Sequence, residues 1–557
     1  MMMFNYDAPY LSARLPVFGR NVVATSHPLA AQAGLRLLQQ GGNAVDAAIG
    51  AAAAMTVLEP CSNGLGSDAF CILWDGQALH GLNASGRAPA AWTPNYFHSR
   101  YGADTVAPPV RGWDAVTVPG AVASWVSLSD RFGHLPLADV LAPAAEIAER
   151  GYAVPVIVQQ KWAAAAQVDD LVRQPGFAQA FLPKGRAPLV GERFCLPGAA
   201  RALRAIGATQ GAAFYQGEIA QALVRAAQAQ GGAMTLADLA GYEPEWVTPI
   251  GQDVAGRAAA PYRLHEIPPN GQGITALIAL GILQHVDLAS LPPDGVQSQH
   301  LQIEAIKLAF ADVYRYVAEP GSMQVTAAQM LDPAYLAERA RLIDPHRAQA
   351  WQAGRPQDVH RRGGTIYLTA ADAQGRMVSF IQSNYMGFGA GVVLPDYGVS
   401  LQNRGHAFSL DAASPNVVAP GKRPFHTILP AFLTQGGQPV MSFGVMGANM
   451  QPQGHVQTLV RMLVHGQNPQ TACDAPRWRF NAGLEINVEA GMDAATVQGL
   501  IALGHQTEVI QDSYQDFGAG QFIARLPADD GSGPGDPAVE GYVAASDPRR
   551  DGVAVAF

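Results

Sequence analysis

Cysteine is scarce in this chain of 557 residues. Four occur, Cys61, Cys71, Cys195 and Cys473, and none forms a CxxC pair. That excludes a disulfide framework and a thiolate metal cluster, and the four read as buried thiols of a reducing compartment. Charge is scarce as well. Charged residues make up 15% of the chain, the net charge is −9 and no basic run occurs, which argues against a nucleic-acid partner. The apolar run Ala47–Leu58 is too short and too rich in alanine to span a bilayer, so no membrane partner is expected. The first twenty residues lack the charged-then-apolar layout of a secretion signal, and the expected setting is cytoplasmic. The glycine loop CSNGLGSDAF has no Lys-Ser or Lys-Thr after it, so it is not a phosphate-cradling loop. Histidines do not fall at metal-ligand spacing, and neither metal nor cofactor is expected.

What is present is apolar and small-sided: 48% hydrophobic residues and 59 glycines. A short strand at Asn21–Ala24 precedes a helix opened by His27-Pro28, whose leucines and alanines run to the stop Gly41-Gly42. A second helix follows from Asn43, with side chains so small that it must pack closely against a neighbour. Residues 115–245 are mostly helical, His300–Tyr316 is an amphipathic helix, and 340–362 reads as an exposed linker.

After that linker, Gly363-Gly364 leads into Thr365 and a strand rich in Thr, Ile, Tyr and Leu. Asp372-Ala373-Gln374-Gly375 is a turn, and Arg376–Ser383 resumes the strand pattern. The hairpin sets Thr365 against Gln382 if its loop has two residues, and against Ser383 if it has three. Either way two hydroxyls meet at one strand end. A threonine hydroxyl is a weak nucleophile without an adjacent base, and one base is the threonine's own α-amine. That amine exists only if the Gly364–Thr365 bond has been cut. Further on, Gly447-Ala448 ends a strand before the helix Gln453–Val464, a place where backbone N–H groups can face an oxyanion.

Taken together, the chain resembles the γ-glutamyltranspeptidase family of N-terminal nucleophile hydrolases. The resemblance runs collinearly from HPLAAQAGLRLLQQGGNAVDAA through PPNGQGI at 268–274, EAIKLAFAD at 304–312, Gly-Gly-Thr365, KRP at 422–424 and DAPRW at 474–478 to the final ASDPR. It implies an α+β fold, a four-layer αββα sandwich cleaved before Thr365. The large subunit would be residues 1–364, mainly helical with strands, and the small subunit 365–557. Both come from one precursor, and the protomer they form can dimerise further. It also implies Thr365 as nucleophile, Ser383 as the second hydroxyl, and Gly447 and Ala448 as the oxyanion donors, Ala448 standing where the family favours glycine.

The departures shape the expected substrate. Tyr385, Arg404 and Ala407 stand where the family's glutamyl enzymes hold an amino-acid head group with Asn, Gln and Asp. His426 and Thr427 replace paired serines after Lys-Arg-Pro, and Arg87 is only an approximate counterpart of the family's carboxylate-binding arginine. The acid that would pair with a substrate ammonium is gone, while Arg404, His406 and His426 have gathered. Such a site favours an anion over an amino acid. The expected substrate is a small anionic amide, best matched by oxamate. The resemblance is to an intracellular branch of the family that hydrolyses oxamate in purine and allantoin breakdown. A γ-glutamyl hydrolase or transpeptidase acting on glutathione-like substrates is the alternative, then a cephalosporin-type acylase. From another class comes an unprocessed, non-catalytic binding protein.

Overall fold

The computed structural model describes residues 14–258, 260–351, 363–512, 517–526 and 540–557. Two seven-stranded sheets lie face to face. One has the strand order Val553–Ala556, Val22–Thr25, Gly363–Ala371, Met377–Met386, Asp68–Trp74, Leu79–Ala84, Glu245–Val247. The other runs Val17–Gly19, Tyr542–Ser546, Ala519–Arg525, Gln438–Met446, Ala431–Gln435, Tyr262–Glu266, Ile250–Val254. In each sheet, strands from before and after Thr365 are hydrogen-bonded neighbours, so neither part of the chain completes a sheet alone.

Strand periodicity sorts the side chains into layers. In Asp68–Trp74, Ala69, Cys71 and Leu73 join the core under helices Pro28–Gln39, Ala44–Leu58, Ala121–Phe132 and Leu137–Arg150. Phe70, Ile72 and Trp74 face the other sheet, where they meet Ile267, Phe432, Ile523 and Tyr542. The second sheet turns Leu264, Leu433, Phe443 and Phe522 to a third core under helices Ile274–Leu283, Val296–Tyr316 and Met450–Leu459. Three apolar layers between four structural ones make an αββα sandwich, as expected.

The small-sided helix Ala44–Leu58 is buried along its whole length. A Cβ on its Gly50 would sit 2.2 Å from Leu37 Cδ1, so the close packing depends on that missing side chain. Asn43 and Asp46 cap it reciprocally, a device worth on the order of 1 kcal/mol.

Several boundaries differ from the sequence reading. Gly363 and Gly364 already belong to the strand, paired with Met386 and Tyr385, so it begins two residues before Thr365. The helix after Gly447-Ala448 starts at Met450, three residues earlier than expected, and passes into a π turn at Val460–Val464. The linker reading of 340–362 holds in part. Within 340–351 Ala348 is buried and Trp351 Nε1–H donates to Glu304 Oε2 at 3.1 Å, and 352–362 lie outside the described residues. All four cysteines are unpaired, but Cys195 is exposed, not buried: it follows the strand residue Phe194, and alternation turns Phe194 inward and Cys195 out. Among the described residues no helix is long and apolar enough to cross a membrane.

Candidate active site

The hairpin loop decides the register. Asp372 N–H donates to Arg376 O at 3.1 Å and Gly375 takes φ +87°, a three-residue loop with glycine in the left-handed position. Ile366 through Ala371 therefore pair as the longer loop requires. At Thr365 the register slips by one, leaving Gly364 opposite Tyr385. The bulge frees Thr365 from regular pairing at the end of the ladder. Its hydroxyl donates to Ser383 Oγ at 3.2 Å, with Thr365 3% exposed and Ser383 fully buried.

Two more donors converge on Ser383 Oγ: Tyr385 N–H at 2.8 Å and Arg404 Nη2–H at 3.0 Å. An oxygen that already receives a guanidinium and an amide N–H is a poor proton acceptor, so Ser383 can orient Thr365 but cannot serve as its base. Among the described residues the Thr365 hydroxyl makes no hydrogen bond to an imidazole or a carboxylate.

Arg404 lies in the one-turn helix Arg404–Ala407 and is fully buried. Its Nη1–H donates to Thr427 Oγ1 at 2.8 Å, its guanidinium carbon lies 4.4 Å from the centre of the Tyr385 ring, and its Nε–H has no acceptor among the described residues. Burial pulls its pKa down to about 10, opposed by the charge of Asp68, and it stays a cation at neutral pH. Tyr385 holds φ +76°, and such a conformation costs a β-carbon residue roughly 1–2 kcal/mol.

The loop Gly447-Ala448 joins the same network. Gly447 has φ +127° and Ala448 φ +51°. Met450 N–H donates to Gly447 O at 2.9 Å. Because the C=O and N–H of a trans peptide point in opposite directions, Ala448 N–H faces away from that helix. Gln272, inside PPNGQGI, ties the parts together: its Nε2 donates to Ala448 O at 3.0 Å and to Thr427 O at 2.7 Å. Ala448, Thr427, Arg404, Ser383 and Thr365 thus form one connected set.

His426 is buried beside it, with Nε2 3.1 Å from Asp68 Oδ2. Burial and the Arg404 charge hold the imidazole neutral, far below its ordinary range. Sequence reasoning missed Asp68, although a lone carboxylate opening the apolar strand DAFCILW was a usable signal. Arg87 is not brought to this group. It is bound to Glu319 at 3.0 Å and to Gly421 O at 2.9 Å, with over a third of its side chain exposed. His406 bonds the Pro108 carbonyl through Nδ1.

Among the described residues, His300, Glu304 and His505 have ligand atoms close enough together for a metal. Lys307 already supplies the cation there, donating to Glu304 Oε1 at 2.7 Å and lying 3.4 Å from His505 Nδ1.

A profile of the gamma-glutamyltranspeptidase family matches residues 30–557. A protein named glutathione hydrolase-like YwrD proenzyme, from Bacillus subtilis, is 35% identical over 96% of this chain and 98% of its own length. An oxamate amidohydrolase proenzyme from Klebsiella pneumoniae is 34% identical over 95% and 97%. The crystal structure of a cephalosporin acylase from Bacillus halodurans superposes with TM-score 0.90 at 44% identity, covering 100% of this chain and 99% of that one. The matches extend over the fold and the hairpin alike, and the chain belongs to the gamma-glutamyltranspeptidase family of N-terminal nucleophile hydrolases.

Proposed function

We propose that the protein cuts itself between Gly364 and Thr365 and then hydrolyses a small anionic amide, with oxamate, giving oxalate and ammonia, as the best match. The observation that carries this reading is a shared oxygen. The Thr365 hydroxyl and the Arg404 guanidinium both lie within hydrogen-bond distance of Ser383 Oγ, at 3.2 and 3.0 Å, while Arg404 Nε–H is buried without an acceptor among the described residues. A carboxylate held by Arg404 is thus a short spacer away from an amide carbon in reach of Thr365.

In the processing step the Thr365 hydroxyl attacks the Gly364 carbonyl and the chain shifts to an ester. Water opens it, leaving the Gly364 carboxylate and a free Thr365 α-amine. The pieces, 1–364 and 365–557, stay one body because their strands alternate in both sheets. In turnover the α-amine, with a pKa near ~7.7–8.0, takes the hydroxyl proton as Thr365 Oγ1 attacks the amide. The N–H groups of Gly447 and Ala448 receive the oxyanion. The amine passes its proton to the departing ammonia, and a water that it activates hydrolyses the acyl-Thr365 ester. Arg404 and Thr427 hold the carboxylate, Tyr385 stacks behind the guanidinium, and His426 and His406 set the loops on either side. Arg87, paired with Glu319, is left out of this scheme.

The word proenzyme in the names of both relatives supports the cleavage, and the oxamate amidohydrolase supports the substrate class. The unpaired cysteines fit a cytoplasmic setting, and a role in purine breakdown belongs to the same proposal. A longer acyl chain is the second reading, favoured by 44% identity to the cephalosporin acylase. A denaturing gel of purified protein should show two fragments, and a single band would favour a non-catalytic binding protein. An ammonia-release screen over oxamate, longer dicarboxylic monoamides and glutamine, run beside hydrolysis of glutathione and a glutaryl-β-lactam, tests the rest. Faster turnover of glutathione or the glutaryl compound than of oxamate would overturn the short-anion reading.

A further inference from the structure

Arg404 places a positive charge in a fully buried site, yet its direct contacts are two hydroxyls and an aromatic ring. Among the described residues no carboxylate is in ion-pair contact with it. The carboxylate whose charge acts on it is Asp68, the first residue of its strand, paired across the ladder with Ser383. Asp68 is fully buried. Its Oδ2 faces His426 Nε2, and the other ring nitrogen of His426 faces the Ile428 N–H at 3.4 Å, so Nε2 carries the proton and donates it to Asp68. Among the described residues no side chain bonds Asp68 Oδ1, and the backbone N–H groups of Gly86 and Gly120 are the dipoles that favour its charge.

The charged and titratable groups around Asp68 are few. Arg404 and Arg423 are cations, and Arg423 is already paired with Glu245. His426 is held neutral, and burial pushes Tyr215 and Tyr242 upward, so both stay protonated. With the site empty, Asp68 is the balance for Arg404. A substrate carboxylate arriving at Arg404 would put a second anion beside the first in a fully buried site, and two buried anions sharing one cation are costly.

We propose that Asp68 is an exchangeable counter-charge: it balances Arg404 in the empty site and takes up a proton from solvent, at Oδ1, when a substrate carboxylate binds. Anionic amides then enter with one proton and neutral amides without. The inference rests on the reading that Arg404 receives the substrate carboxylate. Asp68 is suited to the exchange near neutrality, since burial pushes its pKa up to about 7 against the pull of Arg404. Above that pH the affinity for an anion should fall by up to about tenfold per pH unit, until the pKa of the bound state is passed.

Calorimetric titration of the cleaved enzyme with oxalate, at pH 8 in buffers of different ionisation enthalpy, counts the protons taken up. Asp68→Asn keeps the shape and an acceptor for His426, and should take up close to one proton fewer per oxalate than wild type. It should also bind oxalate about tenfold more tightly at pH 8, with a flatter pH profile. The Thr365 α-amine contributes equally to both proteins, so the difference belongs to Asp68. Equal proton counts and equal pH slopes would overturn the inference. Should Asp68→Asn fail to fold, the uncut Thr365→Ala protein, which lacks the amine, carries the test: uptake that persists supports Asp68, and zero uptake overturns it. Failure of the Arg404 reading is seen separately, as oxalate binding that is absent in wild type or unchanged by Arg404→Gln.

Discussion

Replacing Arg404 with glutamine removes one buried charge and the donors aimed at Ser383 and Thr427, and it vacates the face of Tyr385. If the unpartnered Nε–H and its neighbours receive a substrate carboxylate, the variant loses at least one charge-assisted hydrogen bond. That loss is worth ~1.5–3 kcal/mol, or about one to two powers of ten in kcat/KM. The Ser383 contact is lost for every substrate, so a common fall in kcat is expected for charged and neutral amides alike. The informative quantity is therefore a ratio. Steady-state ammonia release from oxamate and from a neutral amide of the same size should show the anion's advantage shrinking ~10- to 100-fold in Arg404→Gln. Arg404→Lys should fall between, since an ammonium keeps the charge but neither the fork nor the ring stacking. Cleavage must first be verified on a denaturing gel. An unchanged ratio in a cleaved, folded variant would refute the placement of the carboxylate.

Thr365→Ala should leave one uncut, inactive chain, whereas the small fragment of the wild type should begin Thr-Ile-Tyr-Leu on N-terminal sequencing; any other start moves the nucleophile. Gly447→Ala introduces a Cβ 3.0 Å from Gly518 Cα on a backbone at φ +127°, and should shift the neighbouring N–H groups. Loss of one oxyanion donor costs on the order of 10²–10³ in kcat, and normal kcat in a folded variant would place the hole elsewhere. Asp547, from the final ASDPR, accepts from Arg477 at 2.7 Å and Arg549 at 3.0 Å. Burial alone would raise its pKa, but the two guanidinium groups overcome that and hold it at about 2. A depressed carboxyl stabilises the fold above its ordinary range near pH ~4 and loses that contribution as pH falls toward 2. Asp547→Asn should therefore melt lower at pH 7, by an amount consistent with ~3–5 kcal/mol for a broken buried pair, and its acid loss between pH 4 and 2 should be shallower. An identical acid profile would refute the assignment.

Local order is legible in the residues themselves. The helix after His27-Pro28 and the hairpin around Asp372–Gly375 follow from capping and turn chemistry, each acting over a few residues. The approach of Thr365 to Ser383 is equally legible, because one hairpin holds both. The choice between the two registers is not, and it rests on the left-handed conformation of Gly375. Arg404, Tyr385 and Thr427 are reached only through family resemblance, and Arg87, proposed on the same ground, proves to be tied to Glu319.

Asp68 marks the boundary most sharply. Nothing within reach of its own segment points to residues 383, 404 or 426. It becomes part of the site because its strand pairs with Met377–Met386, and that pairing depends on which apolar faces can be buried together across the whole chain. Short-range preferences set by side-chain shape and backbone dihedrals were thus determined by the sequence itself. Only the tertiary structure decided which distant charges share one desolvated space, since long-range pairing is selected by the burial of two sheets and their helices at once, and burial in turn sets the ionisation of Asp68, His426 and Arg404.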